Sequence, residues 1–80
     1  MLEKPKKIEH YEKCFGLIAV EKGFITPDEF IAALTVQVRE DIEHGTHRQL
    51  GEIFLDQDTM SPNQIETVVK SIFRNSEHYG

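Results

Sequence analysis

The segment Lys22-Gly23-Phe24-Ile25-Thr26-Pro27-Asp28-Glu29 has the outline of the second half of a calcium-binding EF-hand loop. Gly23 would stand at the sixth loop position and Glu29 at the bidentate twelfth. Counting back places Ile18, Val20 and Lys22 at positions one, three and five, where calcium needs side-chain oxygens. The chemistry therefore fails, and a tight turn between two capped helices accounts for the same residues. Glu40, Asp41, Glu43, His44 and His47 form the densest set of metal-ligand types. A His-x-x-His pair chelates when both rings share a helix face, but Gly45 lies between these two and breaks the helix. No metal is expected. Cys14 and His10 stand four residues apart, the spacing of a thiol and base on one helix face. Cys14 adjoins Phe15 on an apolar stripe, however, where free cysteine is usually an inert small core residue. The five glycines make no phosphate-binding loop, and no catalytic cluster or cofactor site is expected.

What these residues do share is a frame. Thr26-Pro27-Asp28-Glu29 is a helix start: the threonine hydroxyl accepts from the third helical amide, the glutamate reaches back, and proline fits the first turn. Ser61-Pro62-Asn63-Gln64 repeats that logic with softer partners. After the first start, Phe30, Leu34, Val38 and Ile42 form one apolar stripe, with Ile31 and Ala33 alongside, and Gly45 ends it. After the second, Ile65, Val68, Val69, Ile72 and Phe73 do the same. A shorter helix precedes each. Ile8, Tyr11, Phe15 and Ile18 line the first, which stops near Gly23; Leu50, Ile53 and Phe54 line the other, which stops near Asp58. Gly23 is a natural left-handed cap, and Asp58 is a poorer substitute at the matching place.

The matching extends along the chain. Phe15-Gly16-x-Ile18-x-Val20-Glu21 answers to Leu50-Gly51-x-Ile53-x-Leu55-Asp56, and Gly16 to Gly51 spans the same 35 residues as Pro27 to Pro62. A fixed period of this size marks a repeated supersecondary unit. The expected fold is all-α: one small domain, residues 1–80, of two repeated helix-turn-helix hairpins with four helices. Repeat one covers about 8–44 and repeat two about 47–74, with 75–80 a polar, frayed tail. Gly16 and Gly51 both sit inside expected helices, where glycine costs about 1 kcal/mol relative to alanine. Such a repeated cost points to close approach, by another helix or by a ligand.

Composition narrows the function. Net charge is −5, and the basic residues Lys4, Lys6 and Lys7 cluster at one end, so a basic face for nucleic acid is not expected. Charged residues make up 29% of the chain and no apolar run reaches the length of a membrane span. A single cysteine suits a reducing compartment, and a cytoplasmic location is expected.

The sequence around the two glycines resembles the MshEN domain, the N-terminal domain of type II secretion and type IV pilus assembly ATPases. That family's pattern is Leu-Gly-x-Ile-Leu-Val-x-x-Gly-x-Ile-Thr-x-x-Gln-Leu-x-x-Ala-Leu-x-x-Gln. Here it reads Phe15-Gly16-Leu17-Ile18-Ala19-Val20-Glu21-Lys22-Gly23-Phe24-Ile25-Thr26, with Phe30, Ala33, Leu34 and Gln37 in step and a second copy from Leu50-Gly51. The likeness covers most of Phe15 to Ile72, as in a small stand-alone relative. Some members bind cyclic di-GMP through an arginine just before Leu-Gly and a glutamine at the end of the motif. This chain has Cys14 at the first arginine position and Gln49 at the second, with Arg48 one residue early, roughly a 100° turn away on a helix. Gln37 matches the first glutamine and Ile72 replaces the second. The stretch from Val38 to His47 also separates the copies more widely.

The functional expectation is a non-catalytic bacterial interaction or regulatory module that docks another protein or itself. Homodimerisation would cover leftover apolar residues such as Leu17, Val20 and Val36. The alternative is a sensor of cyclic di-GMP or another cyclic dinucleotide with a degenerate motif. Phe15, Gly16, Gln37, Arg48, Leu50 and Gly51 are the candidate ligand- or partner-binding residues for either role.

Overall fold

The computed structural model describes residues 10–78 as four helices: α1 (His10–Glu21), α2 (Pro27–His44), α3 (Leu50–Asp56) and α4 (Pro62–His78). No strand occurs among the described residues. The sequence-based start of α1 at Ile8 and the last two residues of the tail lie outside them. α4 runs on to His78, past the Asn75 at which the polar end begins.

Local chemistry fixes the ends. Glu29 N–H donates to Thr26 Oγ1 at 3.1 Å and Thr26 N–H donates to Glu29 Oε1 at 2.8 Å, a complete capping box at the start of α2. Ser61 and Gln64 exchange the same pair of bonds at 3.0 and 3.2 Å at the start of α4. α1 ends with Gly23 at φ +79°, where Gly23 N–H donates to the Val20 carbonyl and Phe24 N–H to the Ala19 carbonyl, both at 2.9 Å. α3 ends the same way on Asp58 at φ +59°: Asp58 N–H reaches Leu55 O at 3.1 Å and Thr59 N–H reaches Phe54 O at 2.8 Å. Both are Schellman terminations, one built on glycine and one on a residue that tolerates the left-handed region less well. Gly45, at φ +67°, closes α2 as the sequence implies.

The two hairpins interlock. α1 packs most extensively on α4 and α2 on α3, so each helix leans more on the other repeat than on its own partner. The core comprises Phe15 and Ala19 of α1, Ala33 of α2, Leu50, Ile53 and Phe54 of α3, and Val68 and Ile72 of α4, with Ile25 and Met60 from the turns. Phe15 and Phe54 stack across the repeats with ring centroids 6.3 Å apart. The repeat is unequal where that stacking needs room, because Ala19 occupies the place in repeat one that Phe54 occupies in repeat two, and both are fully buried.

The α2 stripe needs correction. Phe30 and Leu34 are half-buried against the core, but Val38 is 51% exposed and Ile42 79% exposed. The buried side of α2 is carried instead by Ala33 and Gln37. Among the apolar residues expected to be left over, Val20 and Val36 pack against the core, and Leu17 alone stays exposed.

Candidate functional site

The six candidate residues divide among three places. Gln37, Arg48 and Leu50 meet at a buried polar node whose centre is a residue that the motif does not contain, Glu12. This carboxylate sits in the first turn of α1, 2% exposed. Its Oε1 accepts from Gln37 Nε2 at 2.8 Å and from the Leu50 backbone N–H at 2.9 Å. Leu50 is the first residue of α3, so a side chain of α1 satisfies an amide that helix geometry leaves without an internal partner. Gln37 Nε2 donates a second time, to the Arg48 carbonyl at 2.8 Å. Glu12 Oε2 is buried without a hydrogen-bond partner among the described residues. The node ties α1, α2 and the loop before α3 together at a point where the core is otherwise apolar.

The Arg48 side chain points elsewhere. Its Nε and Nη2 grip both oxygens of Glu40 at 3.0 and 2.8 Å, and Nη1 lies 3.7 Å from Asp56. The hydrogen bond from Arg48 holds the Glu40 carboxyl below its ordinary value, and Glu40 in turn raises the guanidinium. His47 Nδ1 stands 3.2 Å from Asp41 Oδ2. The acidic and imidazole groups that looked like metal ligands are thus distributed into separate pairs. No three His, Cys, Asp or Glu side chains converge among the described residues.

Gly16 lies against α2, and a Cβ there would overlap the Phe30 ring. Gly51 is less confined: its Cβ would meet Phe15 Cζ at 3.5 Å and Ile65 Cγ2 at 3.6 Å, ordinary contacts. Phe30 and Ile65 occupy the same place in the two repeats, the fourth position of the second helix. The smaller Ile65 leaves a shallow groove of about 200 Å3 beside Gly51, walled by Tyr11, Phe15, Leu55 and Val69. Burial, and then the neighbouring Glu12 carboxylate, push the Tyr11 phenol above its ordinary value. Cys14 Sγ is 3.4 Å from His10 Nε2 near the start of α1, a contact outside this groove.

Glu12 was legible in principle. Glu12, Phe15, Gly16 and Ala19 follow the i, i+3, i+4, i+7 spacing of one buried helix face, and all four are buried. A lone carboxylate on such a face is a signal, since buried charges are found where something satisfies them.

Among the described residues, Leu17 and Phe73 are exposed, and apolar side chains line two open grooves besides. One is the groove at Gly51. The other runs the length of α2 on the side away from the core, through Ile31, Thr35, Val38 and Ile42, with Leu34 and Arg39 along its edges. Comparison with known protein families, with curated proteins and with solved structures found no match to this chain. No helix among the described residues is long and apolar enough to cross a membrane.

Proposed function

We propose that this chain is a non-catalytic docking module whose working surface is the outward face of α2. The carrying observation is the exposure of Ile31 (60%), Val38 (51%) and Ile42 (79%) on one side of a helix whose opposite side builds the core. Apolar side chains scattered singly need no explanation, but three aligned over three turns of one helix are the outline of a contact surface. Three polar groups near the candidate residues serve the fold: Glu12 and Gln37 hold α3, and Arg48 is held by Glu40.

The same ion pair weighs against the rival role as a cyclic-dinucleotide sensor. A dianionic ligand would need a free guanidinium, and Arg48 is already occupied by Glu40 and Asp56. Resemblance to the MshEN domain is compatible with either role, because its apolar frame is kept while its arginine positions are not.

The test is site-specific photocrosslinking in cells that make the protein. A photoreactive residue replacing Val38 should trap a discrete partner, and the same group replacing Glu66 on α4 should not. Equal or absent crosslinking at both positions would remove this reading.

A further inference from the structure

The outward face of α2 carries information about what it docks, provided that it is a docking surface at all. Ile31, Thr35, Val38 and Ile42 are separated by four, three and four residues, which keeps them in one seam along the helix. Acidic groups border the seam: Asp28 near its start and Glu43 near its end. Among the described residues, Arg39 is the cation at its edge, and it makes no ion pair there. The chain as a whole carries −5.

This pattern disfavours a second copy. An antiparallel pair of α2 helices would bring Asp28, at the start of one seam, towards Glu43, at the end of the other, and each chain would add its own −5. Like charges placed across an interface suppress the wrong partner, and opposite charges select the right one. We infer that the α2 face receives a cationic amphipathic helix from another protein, one that presents Leu, Ile or Val at helical spacing between flanking Lys or Arg. Arg39 sets the register, since a partner of this kind gains from one carboxylate at that height. The contact belongs to the helix-in-groove class, with anchors spaced i, i+3, i+4 and i+7.

The experiment uses the full chain with labelled Ile and Val methyl groups. The probe is a synthetic amidated peptide of about five helical turns, leucine on one face and lysine on the other; a second peptide has glutamate in place of lysine. The lysine peptide is expected to shift the Ile31, Val38 and Ile42 methyls and to leave those of Ile53 and Val68 in place. Ile42→Glu should weaken it at least tenfold, Asp28→Asn with Glu43→Gln several-fold, and added salt should weaken the wild-type complex. The glutamate peptide should produce no shift. The inference is overturned by absence of lysine-peptide binding, by shifts elsewhere, or by indifference to Ile42→Glu. Sedimentation showing a dimer whose interface shifts the same three methyls would also overturn it, while leaving the docking role of α2 intact. Loss of the docking role itself would show separately, as crosslinking that ignores Val38.

Discussion

The Phe30 ring lies across Gly16, in the space that a side chain on that glycine would need. Its counterpart across the repeat, Ile65 over Gly51, leaves room for a methyl group. The two glycines look alike in sequence and differ in what they do. Gly16→Ala should therefore destabilise by about 1–3 kcal/mol through overpacking. Gly51→Ala should be neutral or stabilise by up to about 1 kcal/mol, because it removes the cost of glycine within a helix. Urea unfolding of the two variants reads the difference; equal losses would contradict it.

The paired Schellman turns make a second asymmetry. Asp58 holds φ +59° in the place where repeat one uses Gly23. Asp58→Gly is expected to raise the stability by a few tenths of a kcal/mol to about 1 kcal/mol, and Gly23→Ala to lower it by about 1 kcal/mol. Thermal melts of the two variants should move in opposite directions.

Removal of the Glu12 carboxylate strands two buried N–H groups, that of Leu50 and one of the two on Gln37 Nε2. Each buried group left unsatisfied costs about 1–3 kcal/mol, so Glu12→Ala should lose at least ~2 kcal/mol. Glu12→Gln keeps an acceptor oxygen for both donors but puts an amide where Oε2 has no partner, for about 1–2 kcal/mol. The order of urea midpoints, wild type above Gln above Ala, is the check. A Gln variant worse than Ala would mean that the node is not built around an acceptor.

Glu40 gives the pH dependence. Its folded value lies below the ordinary 4.5, mainly through the Arg48 hydrogen bond. A lowered carboxyl contributes stability that is complete above the unfolded value and disappears as the pH falls through the folded one. The urea midpoint of the wild type should exceed that of Glu40→Gln at neutral pH, and the gap should close as the pH drops below 4.5. A gap that stays constant into acid would rule out the pair as its source.

Local rules carried most of the architecture. The two capping boxes, the left-handed closures at Gly23, Asp58 and Gly45, and the period linking Gly16 to Gly51 are all written in short-range residue types, and each occurs where those types place it. Long-range pairing was less accessible. Val38 and Ile42 have the spacing of a core stripe, but periodicity cannot say which side of a two-sided apolar helix meets the rest of the molecule. Gln37 and Ala33 decided that, through a carboxylate 25 residues away in sequence. Gln37, the Arg48 carbonyl and the Leu50 amide meet at one node, where these groups serve each other and Glu12 rather than the solvent. Phe15 and Gly16 went into helix packing.

The proposed docking role needs the outer face of α2 to be free of the fold and covered by a partner. The most direct measurement pairs stability with crosslinking in the double variant Ile31→Glu, Ile42→Glu. Two charges on exposed helix positions should change the unfolding free energy by no more than about 0.5 kcal/mol each, while the crosslink from position 38 disappears. A variant that unfolds far more readily, or one that keeps the crosslink at full strength, would contradict the claim.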